Sequence, residues 1–449
     1  RKGIFMIDAS KGFMKDGNKN RLRSRDIHKI VDVFTQGEEH PGYSRLVPLE
    51  EIADPKNDYN LNLPRYIDTR EGEDIQDIDA HLNGGIPARD LDALDAYWQV
   101  CPSLKESLFL PLRPGYLQLS DHFPLSTLNF QLKEHPQFAA FLEGMDEHFT
   151  QWRDHTATEL KSLQPGCNPK EIIHQHSEAL LAHYENHPQL VSLPSPLIDP
   201  YAVYQHLMDY WAETMQDDCY LIAAEGWQAV TSRIVERNKK TGKEKDKGWT
   251  CELVPKPLIV ARYFAAEQAA IEDQKAELES LQASLTELEE EHGGEDGAFA
   301  ELEKINNANV TARLREIATS GRDGSPSRPP TDPDDEVAIL KRWQKLTKAS
   351  SALKKAIKSA EAALDQLAHD QYPKLSEDEI KTLVVEDKWL ATLETAIHGE
   401  VDRISQALTQ RVKELASRYE TPLPQMTDRV TALEEKVNAH LERMGFAWN

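Results

Sequence analysis

The chain has 449 residues, enough to bury more than one hydrophobic core, and its 52 Lys and Arg stand against 76 Asp and Glu. A formal net charge of −24 excludes a nonspecific nucleic-acid binder driven by overall charge, although residues 1–30 reverse the sign with nine basic side chains against three acidic ones. No apolar run is long enough to span a bilayer and no signal peptide opens the chain, so no membrane partner is expected. Cys101, Cys167, Cys219 and Cys251 are too far apart for a short zinc motif and too few for a disulfide framework, which points to a cytoplasmic location.

Gly3–Asp8 is an apolar run ending on a carboxylate, the pattern of a buried strand whose last residue faces a loop. In open α/β sheets that edge is where ligands sit. The polar loop that follows carries Lys11, Lys15, Lys19, Arg21, Arg23 and Arg25, cations suited to phosphates, with Asn18 and Asn20 able to reach base edges or backbone oxygens. Its bland reading, equally weighted, is a solvated loop capping a sheet. Ile27, Ile30, Val31 and Phe34 predict a helix over 26–34, His40-Pro41-Gly42 a turn, and Tyr43–Leu49 a second strand. In Asp58–Ile67 polar and apolar residues alternate, and Pro64 limits it to an edge strand or extended segment. Two strands and a helix cannot cover their own apolar faces, so an upstream part completing this sheet is expected.

Residues 68–90, acidic and glycine-bearing, read as an exposed crossing between domains. Helical patterns follow at Leu91, Leu94 and Trp98, at Phe138 to Phe149, and over Tyr201–Met215. Tyr220–Ile222 and Trp249–Leu253 read as a small strand pair, with Lys239–Gly248 as a solvated tip. His183 with His187, and His174 with His176, lack a persuasive third ligand, so all four are assigned to polar helix surface and no metal site is expected. Glu287, Glu289, Glu290 and Glu291 are read as solvated.

The last third holds three heptad seams: Ile271 to Leu288; Leu346, Ala349, Leu353, Ala356, Ala360, Ala363 and Leu367; and Leu390 to Leu415. Pro422-Leu423-Pro424 then precedes Val430, Leu433 and Val437. Such faces must be buried on one another or on a partner.

The runs Phe5–Ser10, Phe13, Gly17-Asn18, Asn20 and Leu22, then Tyr43–Arg45, Leu49–Ile52 and Asn57–Tyr66, closely resemble the end of the catalytic domain in the modification (M) subunit of type I restriction-modification systems. Tyr210–Glu213, Asp217-Asp218 and Gly248–Cys251 resemble, more loosely, the C-terminal region of longer members. The resemblance implies a Rossmann-like methyltransferase that moves a methyl group from S-adenosylmethionine to adenine N6 in DNA. It implies DNA, a specificity subunit and a restriction subunit as partners, and admits a second M subunit.

The expected architecture is an α/β fragment of that Rossmann-like sheet followed by a mainly helical region with long amphipathic or coiled-coil-like helices. Its expected domains are the catalytic end (1–67), a mixed extension (68–257), a long helical hairpin (258–319), a linker (320–335) and a C-terminal helical region (336–449). One departure limits the function. The family's glycine-rich donor turn and its Asn-Pro-Pro-aromatic base clamp do not occur here. The expectation is therefore no catalytic residue in this chain, with S-adenosylmethionine bound mainly by an upstream part. The competing readings are a non-catalytic helical scaffold of a DNA-associated complex and a nucleotide-dependent enzyme. Against the latter, Gly12–Gly17 lacks the Lys-Ser/Thr ending of a phosphate loop.

Overall fold

The computed structural model describes residues 3–69, 75–186, 197–237, 244–294, 297–320 and 336–445. The chain divides into two compact units, one of Arg1–Gly226 with Val385–Asn449 and one of Trp227–Val384. In sequence, the second is an insertion in the first.

In the first unit, β1 (Gly3–Ile7) falls where the apolar run places it, but it is not a buried central strand. Among the described residues its one strand neighbour is an antiparallel segment running from Ser44, opposite Ile7, to Pro48, opposite Gly3, and within β1 only Met6 is buried. A small core of Met6, Val47, Ile52, Tyr66 and Ile67 forms beneath the pair. The expected loop between Lys11 and Arg25 contains a hairpin, β2 (Met14–Asp16) against β3 (Lys19–Arg21). Its two-residue turn puts Gly17 at φ +59°, a value glycine adopts without a Cβ penalty. Helix α1 (Ser24–Gln36) ends at Gly37, φ +68°, whose N–H bonds the carbonyl of Val33, and β4 (Ser44–Pro48) follows.

The Asp58–Ile67 segment is not a strand. Side-chain bonds to nearby backbone compete with a ladder: Asn57 Nδ2 donates to the Glu51 carbonyl at 2.8 Å and Asn60 Oδ1 accepts from the Asn62 N–H at 2.9 Å. A 3₁₀ turn at Leu63–Arg65 closes the segment. Arg65 donates to the Lys56 carbonyl at 2.9 Å, resolving a sequence that leaves Asp8 and phosphate as its candidate partners.

Within the segment expected as an exposed crossing, Glu71, Glu73 and Asp74 lie outside the described residues. The remainder contributes a helix at Ile78–Asn83, N-capped by Asp77, and strand β5 (Ile86–Pro87), with Ala80 and Ile86 buried. That strand joins β6 (Phe109–Arg113) and β7 (Tyr116–Leu119) in the order β5-β7-β6. Helix α2 (Pro136–Lys161) buries Phe138, Phe141, Met145 and Phe149. Helices α3 (Pro169–Glu185) and α4 (Pro200–Tyr210) follow, and α4 runs through a π-helical stretch at Trp211–Met215 into α5 (Gln216–Glu225). Tyr220–Ile222 is thus helical. Cys219 and Ile222, three apart, face the core while Tyr220 is exposed, which is helix rather than strand periodicity.

In the second unit, β8 (Ser232–Arg237) pairs with β9 (Glu244–Thr250), so the returning strand near Trp249 has Ser232–Arg237 as its partner. Residues 238–243 of the expected tip lie outside the described residues. Helices α6 (Ala265–Glu291), α7 (Asn307–Ser320) and α8 (Glu336–Gln371) make up the rest, and most of the expected linker, 321–335, lies outside the described residues. Helix α6 lies antiparallel along α8, with Lys275 on Glu361 at 2.6 Å and Trp343 Nε1 donating to Glu289 at 2.6 Å. Glu289 is therefore bonded rather than simply solvated. Leu288, Phe299, Val310, Leu340 and Trp343 form one core. The α8 seam is shifted one residue from the expected alanines: Ser350, Ile357 and Leu364 are buried, whereas Ala349, Ala356 and Ala363 are exposed. The larger Ile and Leu side chains bury more apolar area than the alanines could.

The chain re-enters the first unit through a π-helical segment, Thr382–Leu390, that leads into α9 (Ala391–Tyr419). The expected α9 seam is buried throughout. Helix α10 (Leu423–Arg443) has no buried residue.

Candidate nucleic-acid interface

The basic stretch is presented by local chain geometry. Asp8, buried where β1 ends, accepts the Ser10 N–H at 2.9 Å and turns the chain outward. The β2–β3 register sets Lys15 opposite Asn20, and Asp16 opposite Lys19 across the Gly17-Asn18 turn. Successive strand residues point to opposite faces, so Lys15 and Asn20 share one face while Asp16, Lys19 and Arg21 share the other. All are exposed, as are Lys11 and Asn18. Arg21 and Asp16 stand 4.0 Å apart in solvent, a contact that contributes little.

Arg23 and Arg25 are placed differently. Arg23 Nε and Nη2 donate to the two Asp26 carboxylate oxygens at 2.9 and 3.0 Å, and the Arg23 N–H donates to Asp26 Oδ2 at 2.9 Å. Burial pushes the Asp26 carboxyl up, but the bonds from Arg23 and the charges of Arg23 and Arg25 outweigh it and hold it below the usual range. The Arg25 backbone N–H donates to Gln205 Oε1 at 2.9 Å, tying the start of α1 to α4. These two arginines are engaged at the helix start; the hairpin cations face water.

A second anchor of α1 was not visible in the sequence. His28 Nδ1 meets Asp32 Oδ2 at 2.6 Å and its Nε2 meets Glu178 Oε1 of α3 at 2.8 Å, while the Tyr201 hydroxyl donates to Asp32 at 2.9 Å. Burial would push His28 down, but the bonds to Glu178 and Asp32 carry it above its usual range. His28 and Asp32 share the i, i+4 spacing that could have signalled half of this cluster. Glu178, 150 positions away, gave no sequence signal. The anchored helix still exposes Ile27, Val31 and Phe34, and the neighbouring strands expose Ile4 and Leu46.

The histidines assigned to helix surface divide. His174 is exposed, but His176 is buried because it shares the core face of α3 with Ile172 and Leu180. The His183 ring stacks on His148 at 3.7 Å, each Nε2 meeting the other residue's carbonyl oxygen. His187 lies outside the described residues. Among the described residues no group of three or more His, Cys, Asp or Glu is placed to hold a metal.

Residues 1–75 match the family model described as N-6 DNA Methylase. This segment is similar to the type I methylase subunits, and the chain spans only about one seventh of the length of the relatives it matches. It is 49% identical over 80 residues to the type I restriction enzyme MjaVII methylase subunit of Methanocaldococcus jannaschii, a stretch covering 17% of this chain and 14% of that protein. It is 31% identical over 75 residues to the MpnII methylase subunit of Mycoplasma pneumoniae, covering 17% and 13%. The MjaVIII methylase subunit of M. jannaschii is 35% identical over 82 residues, covering 17% and 14%. No solved structure matches the chain.

The matched segment contains the basic hairpin and both anchors' α1 residues. The turn after β1 is closed by the Asp8–Ser10 bond, and a Cβ added at Gly12 would already meet Asp26 Oδ1 at 3.0 Å. Neither of two cavities of about 520 Å³ in this unit is lined by that strand end. Among the described residues no helix is long and apolar enough to cross a membrane.

Proposed function

We propose that this chain is part of the methylase subunit of a type I restriction-modification complex that methylates adenine N6 in specific DNA sequences using S-adenosylmethionine. The observations that carry the reading are the 49% identity over 80 residues to a type I methylase subunit and the family model matched by residues 1–75, which build the hairpin. Residues 1–67 are then the end of the catalytic domain, part of a Rossmann-like sheet. The exposed Ile27, Val31 and Phe34 of α1 support this, because apolar residues lying three to four apart on one helix face suit a neighbouring layer. Donor cradle and base clamp belong to portions of the subunit outside these 449 residues, and this chain alone is inactive.

The chain's own contribution is to shape the DNA cleft and to hold the assembly. Lys11, Lys15, Lys19 and Arg21 contact phosphates, and Asn18 and Asn20 reach sugar, phosphate or base edge. Arg23 and Arg25 reinforce the positive field from the start of α1. The acidic remainder confines DNA to this stretch, and specificity and restriction subunits complete a cytoplasmic complex. A helical scaffold without methylase activity is the second reading, supported by the missing donor motifs.

Reconstitution with a radiolabelled methyl donor and duplex DNA distinguishes the two. Methyl transfer to adenine is expected from the full methylase subunit with its specificity subunit, and none from the 449-residue chain alone. Transfer by the isolated chain, or none from the complete complex, overturns the proposal. Charge reversal at Lys15, Lys19 and Arg21 is expected to weaken cognate and random duplexes nearly equally and to flatten the dependence of log affinity on log salt.

A further inference from the structure

The acidic surface that keeps DNA at the hairpin is broken on α8, the long helix of the second unit. Residues 341–358 hold seven basic side chains and no acidic one, in a chain of net charge −24. All seven are exposed. At about 100° per residue, Lys341, Lys345, Lys348 and Lys355 fall within an arc of about 80° on the face opposite the buried Trp343, Ser350 and Ile357, with Arg342 and Lys358 to either side. The bonds that α8 makes to its neighbours run through other side chains: Glu336 to Arg313, Trp343 to Glu289, Gln344 to Thr311, Glu361 to Lys275 and Asp365 to Lys256. Among the described residues none of the seven charges is paired with an acid. Like charges three and four positions apart, such as Lys341 and Lys345 or Lys345 and Lys348, repel on a helix surface, and an anion laid along the face removes that repulsion.

The residues among the lysines identify the anion. Ala349, Ser351, Ala352, Ala356 and Ser359 are small and exposed, and residues 341–358 expose no aromatic or large aliphatic side chain. That leaves no anchor of the kind a protein interface is built on, no apolar face with which a basic helix enters a lipid surface, and no platform on which unpaired bases stack. A duplex needs none of these. From Lys341 to Lys355 the row is about 21 Å long at 1.5 Å per residue, and one strand of B-DNA presents about six phosphates over that distance.

We propose that the exposed face of α8 is a sequence-independent contact for duplex DNA, with Lys341, Lys345, Lys348 and Lys355 set against the phosphates of one strand. A lysine ammonium is a point charge without the planar fork that arginine offers to base edges, so the contact adds affinity and no sequence preference. It lies outside residues 1–75, the segment matched by the family model, and rests on the charge and exposure of α8 rather than on the methylase reading.

Fluorescence anisotropy of the 449-residue chain with a labelled random-sequence duplex, titrated at several salt concentrations, tests this. Lys341→Gln, Lys345→Gln, Lys348→Gln and Lys355→Gln together should weaken binding about tenfold or more at low salt and lower the slope of log affinity against log salt by about 3. Arginine at the same four positions should preserve both. Glutamine keeps the helix propensity and relieves the repulsion, so far-UV circular dichroism and the urea midpoint should not fall. Lys170→Gln, Lys304→Gln, Lys374→Gln and Lys436→Gln remove four exposed lysines elsewhere, change the net charge equally and should move the slope by less than about 1. In a chain already charge-reversed at Lys15, Lys19 and Arg21 the four α8 glutamines should lower the slope further, so loss of either contact is read separately. An affinity and slope unchanged by the α8 glutamines, an equal loss in the scattered control, or α8-dependent binding that is tighter to polyglutamate, anionic vesicles or single-stranded RNA than to duplex DNA overturns the proposal.

Discussion

Helices α9 and α10 follow the same seven-residue rule and end in opposite environments. In α9, Leu393, Ile397, Val401, Ile404, Leu408, Val412 and Leu415 are none of them more than 6% exposed. In α10, Leu423, Met426, Val430, Leu433 and Val437 are between 47 and 56% exposed. Spacing therefore decides which face of a helix is apolar, and only the surrounding elements decide whether that face is covered. The covered helix is also fixed at both ends. Lys388, just before α9, donates to both oxygens of the buried Asp218, and Tyr419 at its other end donates to the buried Asp90 at 3.1 Å. Helix α10 begins after Pro422, whose side chain caps nothing.

The largest effect is expected where α9 is pinned. Lys388 Nζ reaches Asp218 at 2.7 and 2.9 Å, and Trp389 Nε1 reaches the same carboxylate at 2.8 Å. Burial pushes Asp218 up despite the Lys388 charge, so its ionised form depends on that partner. Lys388→Met should cost about 3–5 kcal/mol in urea unfolding by leaving a buried charge unpaired. An unchanged midpoint would remove the pair from the list of things that fix α9.

Next in size is the direct contrast between the two stripes. Leu408→Ala should destabilise the chain by about 2–5 kcal/mol, the range for an emptied core position. Leu433→Ala should stay within about 0.5 kcal/mol of the parent, because this side chain is half exposed. Equal losses would mean that the α10 stripe is covered within a single chain.

A smaller loss is expected at the C-terminal end of α9. The Tyr419 hydroxyl donates to Asp90 and accepts the Asp77 N–H at 3.2 Å, so Tyr419→Phe strips one partner from each. About 1–2 kcal/mol should follow, read from the urea midpoint. No change would show that water replaces the hydroxyl.

The smallest effect is a pH dependence confined to α9. Burial raises Glu400, but the Arg403 bonds at 3.0 and 2.5 Å and the charges of Arg403, His206 and Arg25 bring it below its ordinary 4.5. A depressed folded value means stabilisation that is complete above pH 4.5 and fades as pH falls through that lower value. Glu400→Gln should therefore cost on the order of 1 kcal/mol at pH 7 and converge with the parent in acid. A difference between the two proteins that is as large at pH 3 as at pH 7 would contradict this assignment.

Sequence alone determined what depends on near neighbours. Apolar runs located β1 and β4, helical spacing located α1 and the α9 seam to the residue, and the Asn57–Tyr66 run carried the family resemblance. Local pattern failed where two periods compete over a few residues. Tyr220–Ile222 is too short for a strand and a helix to be told apart, and Asn57, Asn60 and Pro64 divert an alternating segment into turns. The α8 seam slipped by one residue because small alanines share the spacing of Ile357 and Leu364 without their buried area. The basic stretch was legible as charge, but its division was not. Only the folded chain turns Lys15, Lys19 and Arg21 outward on a hairpin and commits Arg23 to Asp26. The anchors His28–Glu178 and Asp218–Lys388 join residues 150 and 170 positions apart, and the exposure of the α10 stripe among the described residues is likewise a matter of tertiary packing. Spacing along a chain fixes which side chains share a face, whereas burial and pairing are set by long-range contacts that only the tertiary fold supplies.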